Sequence, residues 1–166
     1  MNSGQEPVVE VRNAQRSVKI SREQLQSFGQ KACVLAWGNK RPGSCIASLK
    51  LVSVTIVGDR RMATLHRQFC GIPETTDVLT FQYGEIVISA ETAARQARQF
   101  HSTTERELQL YLLHGLLHLC GFDDGSPKSR HAMHKLQHKL MCAAMAREKK
   151  RPPMRQRLNV QSSVVV

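Results

Sequence analysis

Apolar and polar positions divide this chain into short patterned runs, with one long run that does not alternate at all. Val8 to Val11 alternate over a short first strand. Ser21 then opens a helix, with Gln24 three residues on to complete a capping box, and Gly38 and Asn39 stop it after Trp37. After the loop GNKRPGS, apolar residues interleave with polar ones from Cys45 to Val57, the pattern of a strand. Asp59 is placed to cap a second helix carrying Met62, Leu65, His66 and Phe69, which Gly71 ends. Val78 to Tyr83 and Glu85 to Ile88 read as strands, with Gly84 making a hairpin or a bend between them. Ser89 caps a helix through Phe100, Thr104 and Glu107 form a capping box for the next, and Ser126 with Pro127 starts a last helix to about Arg147. The elements mix without strict βαβ alternation. They predict a single α+β domain, a small mixed four-stranded sheet flanked by helices, over residues 1–150. Residues 151–166, ending PPMRQRLNVQSSVVV, predict a basic, disordered tail.

The exceptional run is Tyr111 to Asp124, YLLHGLLHLCGFDD. His114 and His118 stand four apart and share one helix face, one turn apart. Gly121 suits the left-handed turn that ends helices, and Phe122, Asp123 and Asp124 follow closely enough for a carboxylate to fold back towards the imidazoles. Two neutral imidazoles and one oxygen anion suit a single zinc ion, at the end of a helix, that keeps a fourth position for water. The plainer alternative is a pair of core histidines satisfied by backbone carbonyls. Leu112, Leu113, Leu116, Leu117 and Leu119 read as core. Gly115 stands where HExxH metalloproteases carry their general base, which argues against peptide hydrolysis. His131, His134 and His138 line one side of the last helix, but Lys135 and Lys139 interleave and no carboxylate is near, so they read as a solvated polar stripe.

Charge adds a partner to this picture. The chain carries a formal net charge of +11 over 166 residues. Arg147, Lys149, Lys150, Arg151, Arg155 and Arg157, opposed there by Glu148 alone, carry +5 of it, and the body carries the remaining +6. A basic body favours polyanions, RNA among them, although charge by itself is equally that of a soluble basic protein. Five scattered cysteines, odd in number and without a CxxC pair, predict free thiols in a reducing compartment. A polar start and the lack of a long apolar run predict a cytoplasmic protein with no membrane partner.

HGLLHLCGFDD resembles the signature of the YbeY endoribonuclease family, whose usual form is HGxLHLxGYDH. TDVLTF, at Thr76 to Phe81, and GEIVIS, at Gly84 to Ser89, are similar to that family's TDVLSF and GDIVIS in the same order. The resemblance covers roughly residues 45–145. It implies a metal-dependent hydrolase acting on RNA, in ribosomal RNA maturation and ribosome quality control. This chain departs from the family in three places. The third metal ligand, a histidine in the family, is Asp124 here. The linker between TDVLTF and GEIVIS shrinks to Gln82 and Tyr83. Where the family often carries an arginine, this chain has Cys70, and the nearest arginine is Arg67, one helical turn back.

The departures shape the expected chemistry. A carboxylate ligand leaves the metal less positive, so its water is harder to deprotonate, and metal choice relaxes a little towards harder ions such as manganese. Asp123 matches an aspartate of the family motif and either orients a ligand imidazole, poises the water, or is a turn residue. Arg67 would stabilise charge on a phosphodiester under attack, or is a surface arginine of an amphipathic helix. Thr76 and Asp77 order the loop entering the site, contact substrate, or cap the strand. The sequence thus predicts a single-strand-directed endoribonuclease using a zinc-activated water, acting in small-subunit rRNA processing. The alternatives are a zinc-stabilised RNA- or ribosome-binding factor with little cleavage, and a metal hydrolase with a non-nucleic substrate.

Overall fold

The structure, a computed structural model, describes residues 4–146 and 164–166. The basic tail expected at 151–166 lies outside the described residues except for its last three. Five strands and five α-helices occur among the described residues: β1 Val8–Asn13, α1 Arg22–Trp37, β2 Leu51–Val57, α2 Asp59–Cys70, β3 Val78–Phe81, β4 Glu85–Ser89, α3 Ala90–Gln99, α4 Thr104–Leu119, α5 Pro127–Met145 and β5 Val164–Val165. They form one mixed sheet in the order β1-β2-β4-β3-β5. β1, β2 and β4 run parallel, with Val54 opposite Ile86, and β3 is antiparallel to β4. The sheet therefore has one strand more than the sequence predicts. β5 pairs with β3 in parallel, and Val166 N–H donates to the Thr80 carbonyl at 2.8 Å.

Alternation along the strands gives the sheet two different faces. Val9, Val11, Val52, Val54, Ile56, Val78, Ile86 and Ile88 point into the main core with α1, α3, α4 and α5. Val57, Leu79, Phe81 and Val87 point the other way, into a smaller cluster with Met62 of α2. There Phe69 packs edge-on against Phe81 with ring centroids 4.9 Å apart. α2 thus lies across the sheet from α4. α4 is buried almost throughout from Glu107 to Leu119, which accounts for a sequence that is apolar all round rather than striped.

Four local readings are corrected. Residues 45–48 form a short 3-10 turn rather than the start of β2. Ala47 N–H bonds the Ser44 carbonyl and Leu49 N–H that of Ile46, so local bonds replace the ladder that an alternating sequence suggests. α2 is capped by Gly58, not Asp59. The Asp59 carboxylate instead accepts from Ser89 Oγ at 2.6 Å, from Thr92 Oγ1 at 2.8 Å and from Arg95, tying the start of α2 to that of α3. At α4 the cap is Thr103, whose hydroxyl accepts from Arg106 N–H at 3.2 Å, one residue earlier than the motif suggested. At α1 the Ser21 hydroxyl accepts from Gln24 N–H at 3.3 Å, but the reciprocal half of the capping box is not formed.

The shortened linker becomes a three-residue hairpin, with Phe81 opposite Glu85. Gly84 sits at a φ of 100°, and a Cβ there would lie 2.9 Å from the Leu51 carbonyl oxygen. Only glycine meets both demands.

Candidate metal centre

The centre is built where α4 stops. Gly121, at a φ of 88°, donates to the His118 carbonyl at 2.9 Å, and Phe122 N–H donates to Leu117 at 3.0 Å. This pair of bonds is a Schellman turn, and it sends the chain back over the helix end. The loop before the 3-10 turn holds it from outside. Arg41 N–H donates to the Cys120 carbonyl at 2.9 Å, and the Arg41 guanidinium lies 4.5 Å from the centroid of the Phe122 ring.

The reversal brings the three expected ligands together. His114 and His118 are buried with their Nε2 atoms 3.0 Å apart. Asp124 Oδ2 lies 3.5 Å from His114 Nε2 and Oδ1 3.9 Å from His118 Nε2, so one ligand atom from each residue falls within 4.8 Å of the others. The Asp124 side chain keeps 23% of its surface exposed and forms the open side of the cluster.

The orientation of the rings decides what this cluster can hold. His118 Nδ1 lies 3.0 Å from the Phe122 carbonyl, which only accepts, so that nitrogen carries the proton. His114 Nδ1 lies 2.7 Å from Gln137 Oε1 on α5 and is protonated by the same logic. Both Nε2 atoms then present lone pairs to each other and to a carboxylate. Three acceptors at this spacing repel unless a cation sits between them. Zinc–nitrogen bonds of about 2.0–2.1 Å place neighbouring ligands of a tetrahedron roughly 3.3 Å apart, close to what the imidazoles show. The donor set fits a divalent metal. Burial and the neighbouring His114 push His118 down to about 4, against the pull of Asp124, so His118 is neutral and ready to ligate at neutral pH.

The other expected residues are placed differently. The Asp123 carboxylate accepts from Gly125 N–H at 3.1 Å and from Ser129 Oγ at 3.2 Å, which engages it in the turn leading to α5. Thr76 and Asp77 are both buried. Asp77 Oδ1 accepts from Val78 N–H at 2.9 Å and from Thr76 Oγ1 at 3.2 Å, at the start of β3. Burial pushes Asp77 up to about 6, with His114 pulling the other way. Arg67 is exposed in the last turn of α2, and its guanidinium makes no hydrogen bond or ion pair with a described residue.

Two features of the centre were not read from the sequence. Gln137, buried and holding His114, comes from a helix that packs on α4 far from it in the chain. Its only sequence signal is an apolar-facing position on α5. His134 is buried, contrary to the solvated stripe expected of the α5 histidines, whereas His131 is exposed as expected.

The chain matches the family model described as Endoribonuclease YbeY over residues 10–144. It is 31% identical over 150 residues to the endoribonuclease YbeY of Thermodesulfovibrio yellowstonii, which spans 80% of this chain and 94% of that protein. With the namesake from an Anaeromyxobacter species it shares 42% identity over 92 residues, 49% of this chain and 48% of that longer protein. Among solved structures, the solution structure of TM1509 from Thermotoga maritima superposes with a TM-score of 0.60 at 24% identity. It covers 89% of this chain and 99% of that one, and supports the fold alone. With a family match across nearly all of the described domain, and the histidine pair of α4 inside it, the chain belongs to the YbeY endoribonuclease family.

Proposed function

We propose that the chain is a metal-dependent endoribonuclease that cuts single-stranded RNA, acting in small-subunit rRNA maturation and ribosome quality control in the cytoplasm. One observation carries this reading: two Nε2 lone pairs and a carboxylate converge while both Nδ1 protons are engaged elsewhere. His114, His118 and Asp124 would hold one zinc ion, which supplies Lewis acidity at a phosphodiester and lowers the pKa of water. Gln137 and the Phe122 carbonyl fix the tautomer and tilt of the two imidazoles. Asp124, partly exposed, marks the side from which RNA approaches, and the basic body holds its backbone. Arg67 adds an exposed cation on α2, while Thr76 and Asp77 brace the start of β3. Asp123 shapes the turn that carries Asp124.

The test pairs elemental analysis with cleavage of a labelled single-stranded RNA, with and without chelator. One zinc per chain, and cleavage lost on chelation and restored by zinc, is the expected result. Asp124→Ala should lose most of its zinc, and undiminished stoichiometry in that variant would remove Asp124 from the ligand set. A metal-loaded chain that binds RNA without cutting it would instead be a zinc-stabilised RNA-binding factor.

A further inference from the structure

Taking the endoribonuclease reading as its basis, we propose that Arg130 and His134 of α5 form the wall of this site that holds the RNA phosphate. The assignment comes from the helix itself. Residues 130, 134 and 137 fall at i, i+4 and i+7, so they line one face of α5. Both ends of that face are pinned to the metal cluster. Arg130 Nε donates to the Asp124 carbonyl at 3.1 Å, and Gln137 Oε1 accepts from His114 Nδ1 at 2.7 Å. His134, between them, must face the His114–Asp124 side of the cluster.

Each residue offers what a phosphate oxygen needs. Among the described residues the Arg130 side chain is anchored by Nε alone, which leaves both terminal nitrogens of an exposed guanidinium for a bidentate contact. His134 is exposed over only 8% of its surface, and its ring makes no hydrogen bond with a described residue. Its ring nitrogens are not among the fully buried, unpartnered atoms of the described residues, so they keep contact with solvent, where a ligand oxygen can meet them. Even neutral, the imidazole carries one N–H donor. Burial, then the proximity of His114, holds His134 below the ordinary histidine range, while Asp124 pulls the other way. The local charge agrees. α5 has no acidic residue in its own first turn and begins with Lys128 and Arg130, while the Asp123 carboxylate, 3.2 Å from Ser129 Oγ, offsets part of that positive charge.

The experiment compares Arg130→Gln, Arg130→Lys, His134→Ala and His134→Gln with the wild type in the zinc-loaded full chain. Arg98→Gln, exposed on α3, is the control of equal charge. Zinc content, kcat and KM on a single-stranded RNA, and RNA affinity by fluorescence anisotropy over a range of salt are measured for each. Arg130→Gln should keep its zinc, raise KM and Kd about tenfold beyond the control, and flatten the salt slope by about 0.7, the value for one phosphate contact on a single strand. Arg130→Lys should recover part of the affinity, because it keeps the charge and loses the fork. His134→Ala should lower kcat/KM about tenfold, with most of that restored by Gln, which retains an N–H donor.

Values of KM, Kd and salt slope for Arg130→Gln equal to those of Arg98→Gln would overturn the proposal. So would loss of zinc with unchanged RNA affinity, which would make Arg130 a positioning residue for Asp124. If the zinc-loaded wild type does not cut RNA, the endoribonuclease reading falls on its own. The affinity comparison then still decides whether Arg130 holds the phosphate.

Discussion

At the scale of single residues, the centre is a problem in proton placement. Two neutral imidazoles ligate only if their other nitrogens are bound as donors, and the chain solves this twice with different partners. The Phe122 carbonyl belongs to the turn that ends α4, so it comes with the helix. Gln137 is a separate side chain and can be removed cleanly. Gln137→Leu, close in volume, should fold and weaken zinc affinity about 10- to 100-fold, read by competition with a chromophoric chelator. Unchanged affinity would mean that His114 is held in place by packing alone.

His118 gives a prediction in pH. Its pKa falls to about 4 in the folded chain, from an ordinary value of 6.5, because burial and His114 disfavour the charged ring. The unfolded chain therefore binds the proton first. The contribution of His118 to the stability of the metal-free protein should hold above about pH 6.5, fall between there and pH 4, and level off below, against an opposite contribution from Asp77, whose raised value of about 6 favours the folded chain as pH drops. The loss from this residue is at most roughly 3 kcal/mol. Urea unfolding of chelator-treated wild type and His118→Gln at pH 7 and pH 5 should show that the wild type loses more stability, or gains less, than the variant, with Asp77 contributing equally to both. An equal change in the variant would assign the acid sensitivity to another group.

At the scale of elements, the decisive contact is α4 on β4. A Cβ at Gly115 would lie 2.8 Å from Ile86 Cγ2 and 2.9 Å from Cδ1. The position that argues against a protease by lacking a glutamate is closed by packing to any side chain. Gly115→Ala gains helix propensity but forces the helix off the sheet, and the second effect should win by roughly 1–3 kcal/mol. The loss is read as a lower urea midpoint. A variant as stable as wild type would show that Ile86 repacks freely. The same scale shows what the sequence discloses. The histidine pair was legible because four-residue spacing on a helix is a geometric statement, and Asp124 because Gly121 turns the chain back within a few residues. Thr103 and Thr104 offer the same chemistry, so the cap was placed one residue late. Cys45–Ser48 alternates like a strand but closes local bonds. Gln137 and β5 depend on which distant elements meet, and no local period encodes that. The α5 histidines failed differently. Their spacing defines a shared flank of the helix, but one side of α5 packs on α4 while the next faces solvent, so His131 and His134, neighbours at i and i+3, have opposite fates.

At the scale of the molecule, charge and chain ends meet. Deleting residues 152–166 removes Arg155 and Arg157. It also removes β5, which covers the edge of β3 through Val164 and Val165. The two losses act on different quantities. Two arginines contribute at most about 1.4 to the salt slope of single-stranded RNA binding, so the slope should flatten by no more than that while zinc content is unchanged. An uncovered β3 edge presents unpaired backbone groups and favours self-association. A double variant, Arg155→Gln with Arg157→Gln, keeps Val164–Val166 and separates them. It should reproduce the flatter slope and remain as monodisperse as the wild type, whereas the truncation should show concentration-dependent association in sedimentation. RNA affinity measured by anisotropy should fall less than tenfold in both, because +6 of the charge lies outside the basic C-terminal segment. Complete loss of RNA binding on truncation would place the interaction in the tail and leave the metal centre without its substrate. The RNA-binding factor would then be the better description of the chain.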